Sequence, residues 1–277
     1  MEGTWTRSQI ANAINGGRIL VNSLVVKAGK ILRKGDEVEG EMTGGDMPAE
    51  PEDIKLDIVY EDEHLLVINK PRGMVVHPGA GVRSGTVLNA LLFRGSEIER
   101  AGIVHRLDKN TAGLMVVAKT AKTQAQLAKM FEYHDVTRTY VGLVEGRVEG
   151  GGTIRKNICR HPGVRTIYTT CSEGQGRTAI THYKPLKSFP KHTLVEFQLE
   201  TGRTHQIRVH MKSINRPLVG DIEYNPKGSL KASGQMLEAI QLEFTHPVTG
   251  VNLSFRVKPS EEFEKLVNSL DRYNSTR

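Results

Sequence analysis

HRLDKNTAGL, residues 105–114, is the stretch from which the rest of the chain can be interpreted. It places one carboxylate, that of Asp108, close to the Arg106 guanidinium and ahead of a turn that contains Gly113. The apolar run 114–118 begins at the last residue of this stretch and has the length and composition of a buried strand. Asp108 therefore lies on a loop that leads into a sheet, where folded proteins often carry catalytic groups. A lone Asp in such a loop more often caps a turn, so a catalytic assignment needs further support.

Two later motifs supply that support. TRTYVGLVEG spans residues 137–146 and LETGRTHQIRVHM spans residues 199–211. Together with residues 105–114 and the segment 65–81, they resemble, in the same order, the signature segments of the RluA-type pseudouridine synthases. The resemblance extends from about residue 56 to residue 255 and is greatest to members that act on large-subunit rRNA. It implies that the chain converts uridine to pseudouridine in RNA.

The implied reaction breaks the bond between ribose C1′ and uracil N1, turns the bound base and rejoins it through C5. It has no redox step, so we expect no cofactor. It needs a carboxylate near the sugar, a cation that keeps the carboxylate ionised, and a wall that retains the base. The resemblance assigns these roles to Asp108, Arg208 and Tyr140, in that order. Asp108 would either add to C1′ or promote a glycal-like intermediate, and Tyr140 would stack on uracil, with proton transfer from C5 as the alternative.

Each assignment has a simpler structural alternative. An isolated tyrosine on an alternating strand, such as Tyr140, often only fills the core. In the predicted helix over 203–213, Ile207 and Met211 share an inward stripe, which leaves Arg208 at the rim of the core. An arginine there is commonly a solvated surface residue. The complete motifs, rather than these single residues, favour the functional interpretation.

Several further residues are expected to contact RNA or to serve the structure. The resemblance gives Arg106 the task of holding open the gap left by an extracted base, because extraction costs a few kcal/mol of stacking and pairing. We also expect Arg203 to bind RNA. His105 is interpreted as a structural hydrogen-bonding group. His205 and His210 are five residues apart and do not form the i, i+4 pair of a zinc site, so we expect no metal.

The first fifty residues are predicted to form a small RNA-binding module. A short helix from Thr6 to about Asn15 precedes strands at 18–22, 24–26 and 36–40. This part resembles the RNA-binding domain of the small-subunit ribosomal protein S-four type, without its usual first helix, so we interpret it as truncated. The basic residues that we expect to bind RNA are Arg18, Lys27, Lys30, Arg33 and Lys34.

A Gly-, Pro- and acid-rich stretch over 43–53 has no apolar periodicity and is predicted to be a linker. It divides the chain into a partial RNA-binding module over 1–42 and a catalytic domain over 54–277. In the catalytic domain we predict eight strands, at 56–60, 65–69, 114–118, 139–144, 178–184, 193–199, 236–244 and 251–257. We predict four helices, at 84–92, 121–132, 203–213 and 260–270. Because the strands mostly follow one another, the pattern favours an α+β fold. The resemblance implies a mixed, largely antiparallel sheet around a central cleft.

Composition is consistent with an RNA partner. The 277 residues carry a net charge of +7 and a pI of about 9.4, which favours a polyanionic partner without proving one. The spacing of Cys159 and Cys171 matches neither a CxxC metal pair nor a disulfide framework, which is typical of a reduced compartment. No apolar run reaches the roughly 20 residues that cross a bilayer, and residues 1–5 lack a signal pattern. We therefore expect a soluble, cytoplasmic protein, which we interpret as a monomer.

Three alternatives remain open. Residues 79–85 could form a phosphate-binding loop, but their spacing departs from GxGxxG and a turn is the simpler interpretation. The chain could be an RNA-binding ribosome assembly factor without catalysis, although the motif residues argue against it. It could also be a tRNA-directed member of the same family. Resemblance favours 23S rRNA, in the helix 69 stem-loop, or a large-subunit precursor as the substrate. One departure from related sequences is Glu238, where they commonly carry His.

Overall fold

The structure, a computed structural model, describes residues 7–41, 49–79, 82–96, 99–164 and 166–275. Its first part contains helix α1 (Arg7–Asn15) and strands β1 (Ile19–Val21), β2 (Leu24–Val25) and β3 (Val38–Gly40). The strands form an antiparallel sheet in the order β2-β1-β3. The predicted helix and all three predicted strands are confirmed. Thr6, where the helix was predicted to begin, and residues 43–48 of the predicted linker lie outside the described residues.

The other described strands form one ten-stranded sheet. They are β4 (Asp57–Glu61), β5 (Leu65–Lys70), β6 (Ala112–Ala118), β7 (Thr137–Glu145), β8 (Gly152–Arg160), β9 (Tyr168–Cys171), β10 (Arg177–Ser188), β11 (His192–Leu199), β12 (Leu237–Thr245) and β13 (Asn252–Arg256). Their order is β4-β5-β6-β12-β7-β11-β10-β8-β9, and β13 pairs with β12. Among the described strands β6 and β12 are parallel, while the other pairings are antiparallel. The predicted α+β class with a mixed, largely antiparallel sheet is confirmed.

Helices cover this sheet or close its ends. They are α2 (Val87–Phe93), α3 (Ala121–Glu132), α4 (Gln206–Ser213) and α5 (Glu261–Ser275), and a short 3-10 turn spans Glu99–Gly102. Helix α2 begins three residues later than predicted, because Thr86 and Asn89 form a capping box that fixes its start. Helix α4 also begins late, because His205 before it has a left-handed backbone with φ 56°.

Two strands were not predicted, β8 and β9. In β8 only Ile154 and Ile158 are buried, and they are separated by basic and polar residues, so no apolar run marks the strand. Strand β9 has four residues and lies at the edge of the sheet, where short polar strands are common. Both form because pairing with β10 satisfies the backbone of β8, which in turn pairs with β9.

The centre of the sheet determines where the functional residues lie. Every residue of β6 is buried, and β12 separates β6 from β7. At the start of β6, Gly113 has φ 118°, and a Cβ there would lie 2.2 Å from the Ala239 carbonyl oxygen. Glycine is therefore required for β6 to pair closely with β12. Helix α4 packs against β8, β9 and β10 beyond them. No helix in the described part of the chain combines the length and apolar content needed to span a membrane.

Candidate active site

The Asp108 loop joins the 3-10 turn to β6. The Asp108 carbonyl accepts a hydrogen bond from the Thr111 N–H at 3.1 Å, which closes a turn. Leu107 is buried and anchors the loop, whereas the neighbouring Arg106 is exposed. The Asp108 side chain is 19% exposed, so its carboxylate is sheltered but reachable.

Two basic side chains, Lys70 and Arg72, hydrogen-bond to the backbone of this loop. The fully buried Lys70 ammonium donates to the carbonyls of Pro71, Met74 and Lys109 at 2.9, 2.8 and 3.2 Å. Burial lowers the pKa of Lys70 to about 7, although the Asp108 charge opposes this shift. Arg72 Nη1 donates to the Asn110 carbonyl at 2.6 Å. The backbone on the C-terminal side of Asp108 is therefore fixed by direct hydrogen bonds.

Arg208 brings α4 to the Asp108 loop. Its Nη1 lies 3.3 Å from Asp108 Oδ2, although the two residues are 100 positions apart. Its Nε and Nη2 donate to the Asp221 carboxylate at 2.7 and 2.8 Å, and Nη2 also pairs with Glu223. Arg208 is buried, deeper than the predicted position at the rim of the core. Burial works against its charge, but the carboxylates outweigh burial and raise the pKa of Arg208, so the guanidinium stays charged.

The Asp221 turn completes the support of Arg208. The Asp221 carboxylate is fully buried and also accepts the N–H groups of Glu223 and Tyr224 at 3.2 Å each. The Tyr224 ring lies under the Arg208 guanidinium, 4.8 Å from its centroid, in a cation–π contact. The Tyr224 hydroxyl lies 2.9 Å from His205 Nδ1 and accepts the Tyr168 N–H. Arg208 is thus fixed on its face and along its edge.

Tyr140 lies on β7 and is buried beside this centre. Burial raises the pKa of its phenol, while the Arg138 charge opposes that rise. A neutral phenol is a poor base at neutral pH, which favours a stacking role over proton transfer.

An open cleft of about 620 Å³ brings the predicted residues of the catalytic part together. Its lining includes Asp108, Tyr140, Arg208, Arg106 and Arg203. Arg203 is half-buried, and its Nε donates to the Thr178 carbonyl at 3.0 Å. The basic residues of the first module do not line this cleft. Of these, Lys27, Lys30, Arg33 and Lys34 are exposed and Arg18 is half-buried.

Comparison with known proteins identifies the family. A family model described as RNA pseudouridylate synthase matches residues 64–213, and a model described as S4 domain matches residues 3–38. The chain belongs to the RNA pseudouridylate synthase family. Ribosomal large subunit pseudouridine synthase D of Vibrio vulnificus is 41% identical over 291 residues, which cover 97% of this chain and 87% of that protein. The protein of the same name from Escherichia coli K12 is 42% identical over 290 residues, with 95% and 86% covered.

Solved structures of pseudouridylate synthases share the fold. Human RNA pseudouridylate synthase domain containing 4 superposes with a TM-score of 0.63 at 24% identity, covering 78% of this chain and 93% of that one. Human RNA pseudouridylate synthase domain containing 1 gives 0.59 at 24% identity, covering 78% and 95%. The predicted family and enzyme class are confirmed: the chain is a pseudouridine synthase, an isomerase, with an RNA-binding module in front.

Glu238, where the sequence is expected to depart from the family, lies next to the Asp108 loop and contacts Arg72. It is buried and pairs with Arg72 Nη2 at 2.9 Å. Its Oε2 accepts the Ser260 N–H at 2.7 Å, just before α5 begins. An acid here therefore neutralises the cation that holds the Asn110 carbonyl and connects it to α5. Glu238 therefore contributes to the support of the Asp108 loop and not to the cleft lining.

Sequence reasoning missed Asp221, Tyr224 and Lys70. Asp221 follows a glycine, and this pair resembles an ordinary turn. Lys70 lies inside one of the motifs, but nothing in the sequence indicates that a lysine ending a strand is buried. One signal was available, because an arginine that is buried requires an acidic partner. Burial of Arg208 and Arg72 therefore implies carboxylates close to both.

The remaining site predictions concern histidines and the glycine-rich segment. His105 Nε2 accepts the Val116 N–H at 3.0 Å, and its ring stacks on Phe131, which confirms its structural role. Within the described residues, no cluster of three or more His, Cys, Asp or Glu side chains is arranged to hold a metal ion. Ala80 and Gly81 of the segment 79–85 lie outside the described residues. Gly79 and Val82 form a bridge, consistent with a turn.

Proposed function

We propose that this pseudouridine synthase modifies uridines of 23S rRNA, in the helix 69 stem-loop, as a cytoplasmic monomer. The observation that carries the proposal is the 41–42% identity, over nearly the whole chain, to proteins named ribosomal large subunit pseudouridine synthase D. The net charge of +7 and the basic first module support an RNA partner. A stem-loop suits the enzyme because unstacked bases cost little to extract.

In this proposal Asp108 attacks or deprotonates the ribose. Arg208 Nη1 lies 3.3 Å from the half-buried carboxylate and places an opposite charge beside it. Because Asp221 and Glu223 already bind Nε and Nη2 of Arg208, the guanidinium has a fixed position and leaves Nη1 to Asp108. The carboxylate is thereby held in one orientation toward the sugar. The arrangement suits either addition to C1′ or the glycal route.

Tyr140 forms the wall against which the uracil stacks, and Arg106 fills the gap in the RNA. The buried ring can retain the detached base while it turns. The exposed Arg106 side chain, two residues before Asp108, can reach into the RNA stack without disturbing the loop. Arg203 and the basic residues of the first module bind backbone phosphates. The module, residues 1–42, and the catalytic domain, residues 54–277, are joined by the linker 43–53.

The test is site mapping on purified RNA. The protein is incubated with unmodified 23S rRNA and, separately, with tRNA transcripts, and pseudouridines are located by carbodiimide-dependent reverse-transcription stops. We expect stops in the helix 69 loop of 23S rRNA. Modification confined to tRNA would refute the rRNA target while leaving the chemistry intact. Binding of 23S rRNA without any pseudouridine would favour a non-catalytic assembly factor.

A further inference from the structure

Arg138 is a buried arginine in the active-site cleft, and no acidic side chain in the described part of the chain pairs with its charge. It is 7% exposed, and its Nε is buried without a hydrogen-bond acceptor. Its guanidinium donates no hydrogen bond and forms no ion pair anywhere in the part of the chain that the structure describes. Its one close favourable contact is with the Phe131 ring, 5.4 Å from the centroid. An unpaired buried charge destabilises a fold, so its presence calls for a function.

Arg138 lies beside Tyr140, the residue expected to stack on the uracil. Arg138 and Tyr140 are two residues apart on β7, so their side chains lie on the same face, and both line the cleft. Burial and the Arg138 charge lower the pKa of His105 to about 3, so this neighbour adds no second charge. A Cβ on Gly202 would lie 2.7 Å from Arg138 Nη1. Because residue 202 is glycine, no side chain from that position displaces the guanidinium.

We propose that Arg138 hydrogen-bonds to a carbonyl oxygen of the extracted uracil and stabilises the negative charge that the base acquires. This inference rests on the uridine chemistry described above. When the C1′–N1 bond breaks, its electron pair stays on N1, and the base leaves as a uracil anion with charge spread onto O2 and O4. C1′ is then taken by the Asp108 carboxylate, or the sugar loses its C2′ proton. The new C1′–C5 bond then forms as the C1′–Asp108 ester bond breaks and frees the carboxylate, or as C2′ of the glycal takes its proton back. C5 loses its proton and N1 gains one, so the charge on the base is transient.

Depth in the cleft favours the base over a backbone phosphate as the ligand. Arg106 is exposed and Arg203 is half-buried, so both are placed for phosphates at the rim. Arg138 is more deeply buried than either and lies beside Tyr140, the predicted stacking residue. A buried donor has its greatest effect where charge develops during the reaction. Phosphates of the RNA backbone carry their charge before and after the reaction, so binding one would not require this burial.

The test measures the chemical step separately from binding. Single-turnover rates at saturating RNA, RNA dissociation constants and thermal unfolding midpoints are compared for the wild type, Arg138→Met and Arg138→Lys. We expect Arg138→Met to lower the saturating rate by about 10²- to 10³-fold with unchanged affinity, the loss typical of one removed oxyanion donor. Its unfolding midpoint should stay equal or rise, because an unpaired charge has been removed. Arg155→Met, an exposed arginine outside the cleft lining, is the matched control and should change none of these values.

A second substrate tests the leaving group itself. Fluorine makes uracil more acidic, so RNA with 5-fluorouridine at the target should need less help in breaking the glycosidic bond. The ratio of the wild-type rate to the Arg138→Met rate should therefore shrink on that RNA. The measured rate on that RNA is consumption of the target nucleoside, because its C5 carries fluorine and has no proton to lose. Equal ratios on both substrates, weaker RNA binding with an unchanged saturating rate, or a lowered midpoint in Arg138→Met would each overturn the inference. A wild type that makes no pseudouridine in 23S rRNA would instead contradict the proposed target, and the comparison would then use whichever RNA it modifies.

Discussion

Asp221→Asn should both destabilise the protein and slow the reaction. One fully buried carboxylate receives two hydrogen bonds from Arg208, at 2.7 and 2.8 Å, and two backbone N–H groups at 3.2 Å each. The amide of asparagine keeps one acceptor and turns an NH₂ group toward a guanidinium that also only donates. Arg208 then remains buried with its strongest counter-charge removed.

The size of the effect follows from this geometry. Breaking a buried ion pair by removing one partner costs about 3–5 kcal/mol. For a domain of this size each kcal/mol lowers the unfolding midpoint by about 2–4 °C, so the midpoint should fall by about 6–20 °C. The Arg208 contact to Asp108 is already 3.3 Å long, and a further shift of about 1 Å can reduce the rate about 10²-fold.

The assay combines thermal or urea unfolding with single-turnover pseudouridine formation below the new midpoint. Glu223→Gln is the matched control, because it also removes a carboxylate from Arg208, but from a side chain that is 38% exposed. An exposed pair contributes at most about 1 kcal/mol, so this variant should unfold nearly as the wild type does. Equal unfolding midpoints for Asp221→Asn and the wild type would refute the argument that Asp221 is the principal partner of Arg208.

Three further predictions concern the carboxylate, pH and the first module. Asp108→Asn should abolish isomerisation while leaving folding and RNA affinity nearly intact, and substantial pseudouridine in its product RNA would remove Asp108 from the reaction. The pKa of His105 is lowered to about 3, chiefly by burial, so between about pH 6.5 and 3 the unfolded chain binds a proton that the native one does not. Stability should therefore fall as pH drops through that window, and urea titrations should show a shallower fall for His105→Gln. Deleting residues 1–50 should weaken RNA binding and reduce its log-log salt slope by about one unit per lost phosphate contact, with turnover on a short stem-loop retained.

The family motifs placed Asp108 and Arg208 in one predicted site, which the spacing of the two residues could not do. Asp108 and Arg208 are 100 positions apart, and no spacing argument brings them together. The family resemblance assigned them to one site, and the structure shows the contact. Gly113 is different, since the requirement for glycine follows from its φ of 118° and from the close approach to Ala239, neither of which could be inferred from an apolar run.

The supporting residues were less accessible to sequence reasoning. Asp221 serves the site through a guanidinium on another element, and its neighbours have the composition of a common turn. Strand β8 carries charges on its exposed positions, which obscures its alternation. Arg138 is unpaired because none of the described residues around it offers an acceptor to its Nε. Such a property appears only when a three-dimensional arrangement can be inspected.

Two buried arginines in one cleft thus have opposite surroundings. Arg208 has three carboxylates around it, and it cannot bind further negative charge without giving one up. Its fixed, saturated guanidinium suits the orientation of Asp108 throughout the reaction. Arg138 has no carboxylate partner within the described chain, so its full charge is available to a transient anion. When the glycosidic bond breaks, the sugar faces the Asp108 carboxylate and the base takes up negative charge. Arg208 holds the carboxylate on the sugar side, and Arg138 offers its positive charge on the base side.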